Sequence, residues 1–284
     1  MGVARVLSVA LLPLLVAASD PPAWTRAAPP VHLIGPIIYV GTEGLAAYLI
    51  RTRAGAILID ATMAENVPAI RANIERVGVP IRDVKLILIS HAHFDHAAGT
   101  AAMKAITGAR VVAGAGDREA LESGRPGGEN IGGAVDFPPV RVDRTVSEGD
   151  RVTLGGVTLT AHATPGHTPG CTTWTIPVVD RSRRIVVVFP CSISVAGNRL
   201  TGNRRYARIV ADYRTSFARL GALRADVVLP AHPEVADVVG RTRRGELVAP
   251  ALLRSIVGEA RVAFDRELAR QSALSRGRGT VAGR

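Results

Sequence analysis

Apolar and polar positions along the chain recur with two different periods, and the changes of period mark out its elements. Val31 to Val40, Leu45 to Arg51 and Ala56 to Ile59 are β-branched or otherwise apolar runs. Gly41, Gly44 and Gly55 punctuate them, which predicts a meander of strands. Between Ala64 and Val77 the apolar residues Val67, Ile70, Ile74 and Val77 share one helical face, and Gly78 ends the pattern. Val84 to Ile89 is apolar except for Lys85 and reads as a largely buried strand. A helix over Ala97 to Thr107, which Asp95 could cap, a strand over Val111 to Ala113 and a helix over Asp117 to Glu122 follow.

The second half repeats this plan. Arg151 to Leu154 and Val157 to Ala161 flank Gly155-Gly156 as a hairpin, and strands follow at Thr172 to Val179 and Arg184 to Phe189. Ile209, Tyr213, Phe217 and Leu220 form the apolar stripe of a helix that leads to the strand Val227 to Leu229. Strand, helix and a histidine-bearing loop recur in both halves without obvious sequence repetition. With no linker-like tract between the halves, the pattern predicts one domain over residues 20 to 284.

The first residues follow a different logic. One cation, Arg5, precedes thirteen mostly apolar residues from Val6 to Ala18, and small residues stand at Ala17, Ala18 and Ser19. This is the layout of a secretory signal peptide over residues 1 to 19, too short to span a bilayer, so the mature chain is expected in the periplasm or secreted.

Composition agrees with a globular α/β protein. The 284 residues are 47% hydrophobic, enough for a sizeable core, while 29 glycines and only 4% aromatics point to a loop-rich chain. The formal charge of +11 raises the question of nucleic acid. However, the arginines are spread out, with some in a tail from Arg261 to Arg284, and lack the interleaved aromatics that base stacking requires, so no nucleic-acid partner is expected. Cys171 and Cys191 are the only cysteines. In an oxidising compartment they could form a disulfide, or they could be two small buried hydrophobes.

The candidate chemistry lies in "SHAHFDHAAG", which starts at the carboxyl end of the buried strand, where α/β sheets collect ligands. His91 and His93 are two apart and in an extended loop project to one side, so they can share a cation. Asp95 and His96 diverge where the chain turns into a helix and suit a second cation beside the first, at the roughly 3.5–4 Å spacing usual for two-metal sites. Further donors stand at His167 in "TPGHTPG" and His232 in "PAHPE", both at turns that aim a side chain outward. Three neutral imidazoles with an open position are typical of catalytic zinc. His32 and His162 lack partners at ligand spacing and are read as packing or surface residues. Asp60, at the end of "ILID", is either an acceptor that orients a ligand imidazole or a strand-end turn residue.

The motifs "HAHFDH", "GHTPG" and "AHP" resemble the metallo-β-lactamase superfamily over nearly the whole mature chain. The full HxHxDH string, "CSISVAGNRL" and "YARIVADYRTSFARL" before "DVVLPAHP" are most similar to the class B β-lactamases of the third subclass. The resemblance implies a four-layer αββα sandwich with a dizinc site at one edge. It implies His91, His93 and His167 on the first zinc and Asp95, His96 and His232 on the second. It also implies a disulfide between Cys171 and Cys191.

Thioester hydrolases and lactonases of the superfamily usually carry a metal-bridging aspartate after the strand that ends here at Phe189, where this chain has "PCSIS". That departure fits the third-subclass lactamases, in which serines replace the ligand. Ser192 and Ser194 are then candidates to hydrogen-bond a substrate carboxylate, or turn-stabilising hydroxyls, and Asn198 stands where the resemblance implies a residue beside the substrate.

The implied activity is hydrolysis of the β-lactam amide of penicillins, cephalosporins and carbapenems, conferring resistance. A hydroxide shared by the ions attacks, with Asp95 as catalytic residue orienting it, and no covalent acyl-enzyme is required. The partner is a small-molecule β-lactam, acted on by a monomer with no membrane attachment after signal cleavage. The segment Gly124 to Pro139 is expected to flank the cleft, with mobility conferred by its glycines. Two alternatives remain: a lactonase or other ester or thioester hydrolase on the same site, and a non-catalytic zinc-binding or nucleic-acid-binding protein.

Overall fold

In a computed structural model of the chain, residues 20–131 and 133–281 are described, side chains from 277 onward excepted. The leader expected over residues 1 to 19 lies outside them. The first apolar runs form β1 (Val31–Ile34), β2 (Ile37–Tyr39), β3 (Tyr48–Thr52) and β4 (Gly55–Ile59), all paired antiparallel. The single run expected from Val31 to Val40 is split at Gly35, whose φ of 50° turns the chain back on itself.

After β4 the connections become crossovers. Helix α1 (Val67–Arg76) leads to β5 (Val84–Leu88); α2 (Phe94–Ala97) and α3 (Thr100–Thr107) lead to β6 (Arg110–Gly114). Helix α4 (Arg118–Ser123) and a long loop then lead to β7 (Arg144–Val146). Strands β4 to β7 run parallel, completing a seven-stranded sheet in chain order. Asp95, expected as the cap of one continuous helix, lies in the first turn of α2 instead, with His93 at the N-cap position. The helix breaks at Gly99, where any side chain would collide with the carbonyl oxygens of Ala61 and Met63.

The second sheet holds β8 (Arg151–Leu154), β9 (Val157–Ala163), β10 (Thr172–Asp180) and β11 (Arg183–Phe189), with β12 (Val227–Val228) parallel to β11 at its edge. β10 and β11 meet in a two-residue hairpin at Arg181 and Ser182. Their φ values of 45° and 67° give the left-handed turn that suits the twist of paired strands.

Three apolar layers follow from this order. Tyr48, Leu88, Trp174 and Phe189 pack between the two sheets. Ile70 and Ile74 of α1, with Met103 of α3, cover the outer face of the first sheet. Helices α5 (Ile209–Ala222) and α7 (Leu252–Val281) cover the second, through Tyr213, Phe217, Leu253 and Phe264. A short α6 (Val238–Arg244) lies between them in sequence. The result is the expected αββα sandwich, and burial of each large apolar side chain stabilises it by about 1.5–3 kcal/mol.

The region from Arg261 onward, read from sequence as a basic tail, is most of a thirty-residue helix. Leu253, Val257 and Phe264 are buried along one stripe of it and the arginines lie elsewhere. Among the described residues no helix is long and apolar enough to cross a membrane.

Candidate metal centre

The carboxyl ends of the parallel strands converge at one edge of the sandwich. Asp60 follows β4, Ser90 to His96 follow β5, and Asp117 closes the turn after β6. The second sheet adds His167 between β9 and β10, residues 190–198 after β11, and His232 after β12. Tyr48 braces the last of these by donating its hydroxyl to the Pro230 carbonyl at 2.7 Å.

One donor of each of His91, His93 and His167 lies within 4.8 Å of the others. His93 Nδ1 and His167 Nε2 are 3.0 Å apart. The remaining nitrogen of two of these rings is engaged outside the cluster. His91 Nδ1 is 2.9 Å from Ser90 Oγ, and His167 Nδ1 donates to the Ser194 carbonyl at 2.8 Å. These bonds leave His91 Nε2 and His167 Nε2 pointing inward as lone pairs. Nε2 of His91 is buried with no hydrogen-bond partner among the described residues.

A second group forms beside it. Asp95 Oδ2 lies 3.1 Å from His96 Nε2 and 3.3 Å from His232 Nε2, and the two ring nitrogens are 3.2 Å apart. His91, Asp95 and His96 also share a 4.8 Å neighbourhood, so the two groups are contiguous. The structure therefore brings together all six residues singled out as ligands. Converging imidazole nitrogens, among them the buried and unpartnered His91 Nε2, and one carboxylate are a donor set that suits divalent zinc.

Electrostatics point the same way. Burial, reinforced by neighbouring imidazoles, holds His91 well below its ordinary range. Burial likewise brings His93 down to about 4 and His167 down to about 3. All three are neutral at pH 7, the form in which imidazole binds a metal. Burial opposes the charge of Asp95, but His96 and His232 hold its carboxyl far below the usual carboxylate range. Burial also opposes charge on His96, where the adjacent Asp95 carboxylate prevails and raises it.

Asp60 takes the orienting arrangement considered from sequence. Ser90 donates its hydroxyl to Asp60 Oδ2 and its backbone N–H to Asp60 Oδ1, both at 2.7 Å, so Ser90 links Asp60 to the His91 ring. Asp60 and Thr62 hold φ values of 58° and 54°, a conformation costly for residues other than glycine, and Thr62 accepts from the Gly99 backbone beneath α2.

A cleft of about 310 Å³ opens over the two groups. Trp24 and Phe94 line it beside His93, Asp95, His167 and His232, while residues 126–128, 130, 133–135, 194, 196 and 198 form its walls. Ser194 is exposed on one wall, and Ser192 faces an adjoining apolar pocket. Asn198 lines the cleft, and its Nδ2 donates to the His167 carbonyl at 2.9 Å and to the Tyr213 hydroxyl at 3.5 Å.

The segment Gly124 to Pro139 flanks the cleft as expected, yet it is tied across it. Ile131 donates to the Gly197 carbonyl, Arg199 to that of Glu129, and Asn130 Nδ2 to that of Ala196.

Cys171 and Cys191 are joined by a disulfide behind the His167 loop. His32, bonded to its own turn at Gly35, and His162, between Glu148 and Thr175, stand apart from the centre. Sequence reasoning missed Ser90 and Tyr213. Ser90 could have been noticed as the hydroxyl preceding the first histidine. Tyr213, whose hydroxyl donates to the Ser194 carbonyl at 2.7 Å, sits in a helical stripe that reads only as core.

Comparison with known proteins adds independent findings. The profile of the family described as "Metallo-beta-lactamase superfamily" matches residues 41–232. Among solved structures, BJP-1, a subclass B3 metallo-beta-lactamase of Bradyrhizobium japonicum, is 44% identical with a TM-score of 0.84, covering 89% of this chain and 98% of its own. The FEZ-1 metallo-beta-lactamase from Legionella gormanii is 37% identical with a TM-score of 0.82, covering 87% of this chain and 98% of its own. A curated relative, hydroxyacylglutathione hydrolase of Rhodospirillum rubrum, is 38% identical over 125 residues, 43% of this chain and 40% of that protein. The chain therefore matches well under two thirds of that relative's length.

Proposed function

The chain belongs to the metallo-β-lactamase superfamily, and on that premise we propose that it hydrolyses the amide bond of β-lactam antibiotics with two zinc ions as cofactors. The observation that carries this reading is the second residue after β11. No carboxylate stands there to bridge the two groups of ligands; the position is Cys191, bonded to Cys171. The likeness to BJP-1 over nearly the whole of both chains supports the same assignment.

His91, His93 and His167 would hold one ion, and Asp95, His96 and His232 the other. Bound zinc supplies Lewis acidity for the substrate carbonyl and a water whose pKa falls to about 7. The chain's own contributions are orientation and charge. The Ser194 carbonyl and the Ser90 hydroxyl fix the rings of His167 and His91, so their lone pairs are aimed before a metal arrives. Asp95, held anionic, would accept a hydrogen bond from the attacking water at its carboxylate and orient it, as the catalytic residue of this reading. Ser194, and Ser192 behind it, are the hydroxyls proposed to bind the substrate carboxylate, with Asn198 on the same wall. Trp24 and Phe94 offer apolar surface to substrate side chains and exclude water from that side of the cleft. The enzyme would act as a monomer in the periplasm or outside the cell and confer β-lactam resistance.

The partial match to hydroxyacylglutathione hydrolase favours a second reading, a thioester or lactone hydrolase on the same ligands. Turnover of imipenem, a penicillin, an acyl lactone and a glutathione thioester by the zinc-loaded protein separates the two. The β-lactam reading expects kcat/KM to be highest for the β-lactams; hydrolysis of only the thioester or lactone would overturn it.

A further inference from the structure

We propose that Asp117, from outside both groups of ligands, is the positioning residue that sets the spacing of His91 and His93 against His167 and thereby the metal affinity of that group. This rests on the metal-binding reading above. Asp117 is buried, and among the described residues it forms no ion pair with any lysine, arginine or histidine. Its carboxylate is met by three neutral donors. Oδ2 accepts from the Ala92 backbone N–H at 2.9 Å and from Thr168 Oγ1 at 2.7 Å, while Oδ1 accepts from the Gly170 N–H at 2.7 Å. Ala92 stands between His91 and His93, and Thr168 follows His167. One carboxylate therefore fastens together two loops from different sheets, and those loops carry the three imidazoles of the first group.

The backbone is shaped to permit it. A Cβ on Gly170 would lie 2.2 Å from the Asp117 backbone nitrogen and 2.6 Å from its Cβ, and one on Gly116 would lie 2.5 Å from the Pro169 carbonyl oxygen. Without side chains at these two positions, the turn after β6 closes directly onto the His167 loop. A buried carboxylate is costly to retain without a charged partner, and burial pushes Asp117 up to about 6. The three donors work against that rise and favour the ionised form, which alone leaves both oxygens free to accept. An asparagine has one acceptor oxygen and would set its amide N–H groups against a donor on one loop or the other.

Asp117 has no hydrogen bond to Asp95, His96 or His232, so its effect should fall on the first group alone. The test measures zinc affinity by chelator competition and the visible spectrum of bound cobalt(II). Both are read for Asp117→Asn in a His232→Ala background, which leaves the first group intact, and in a His167→Ala background, which leaves the second. The expected result is a loss of roughly 10–100-fold in affinity with an altered cobalt spectrum in the first background, and no change in the second. With wild-type ligands, excess zinc should restore kcat of Asp117→Asn towards the parent value.

Should Asp117→Asn not fold, Thr168→Val removes one of the three donors while keeping the carboxylate, and a smaller loss confined to the first group is expected. Unchanged metal affinity together with a lower melting temperature of the metal-free protein would make Asp117 a brace of the fold only and overturn the proposal. Wild-type protein that binds neither zinc nor cobalt would defeat the metal-binding reading itself, and this proposal with it.

Discussion

His93 Nδ1 and His167 Nε2 face each other at 3.0 Å from loops 74 residues apart in the chain. Burial keeps both rings neutral at pH 7, and His167 spends its only N–H on the Ser194 carbonyl, so the nitrogen it turns to His93 is a lone pair. A cation between them would satisfy both rings. Replacing His167 with alanine should therefore lower metal affinity by at least the roughly 10–100-fold that loss of an orienting partner costs, and abolish most turnover. Equilibrium dialysis against zinc checks the first part and imipenem hydrolysis the second.

The same neutral rings make the metal-free protein acid-sensitive. In the unfolded chain these histidines titrate near 6.5, whereas in the folded protein His93 and His167 fall to about 4 and about 3 and His91 is also lowered. Between those limits the unfolded state binds more protons, so stability is lost as pH falls from about 6.5 towards 3. Asp95, held low, adds a loss in the same direction below about pH 4, while the raised His96, Asp60 and Asp117 oppose it without outweighing the three buried imidazoles. The urea midpoint of chelator-treated protein should drop between pH 7 and pH 4; a flat or rising midpoint would contradict the assignment of neutral buried imidazoles.

Asp60 acts on His91 through Ser90. Asparagine tolerates the left-handed backbone at this position better than most residues, so Asp60→Asn keeps the turn and removes the charge. It should weaken metal binding or activity by about 10–100-fold, and Ser90→Ala should do the same to a lesser degree. Zinc affinities equal to wild type in both variants would show that the chain of hydrogen bonds does not serve the ring.

The disulfide closes a loop of sequence separation 20 that contains neither His167 nor the HxHxDH string, though it lies behind both. Replacing Cys171 and Cys191 together by alanine should destabilise the protein by about 3 kcal/mol and lower its melting temperature, with the zinc stoichiometry kept at low temperature. Calorimetry of the metal-loaded variant reads the shift.

Much of this was legible in the sequence because the periodicities are strong. The β-branched runs that became β3, β4 and β5 and the stripe of α1 need only local pattern, and the six candidate ligands announce themselves by residue type and turn context. What stayed hidden depends on distant contacts. Helix α7 carries a clear stripe at Leu253, Val257 and Phe264, but dense arginines and Gly258 disguised it as a tail.

Its buried Gln271 breaks the apolar pattern for a tertiary reason. It accepts from the Leu200 backbone N–H and donates to the Asn198 carbonyl, anchoring the cleft wall. Asp117 looked like an ordinary residue at a helix start because its three donors come from 25, 51 and 53 residues away. The Gly124 to Pro139 segment was read from its glycines as mobile, and only the folded chain reveals the bonds to residues 196–199 that hold it.

The most direct test of the central claim joins a metal count to turnover on one sample. Purified mature chain should contain close to two zinc ions and hydrolyse imipenem, lose that activity on removal of both ions by chelation, and regain it as zinc is returned. A protein that takes up no zinc, or whose imipenem turnover is indifferent to chelation, would contradict the account.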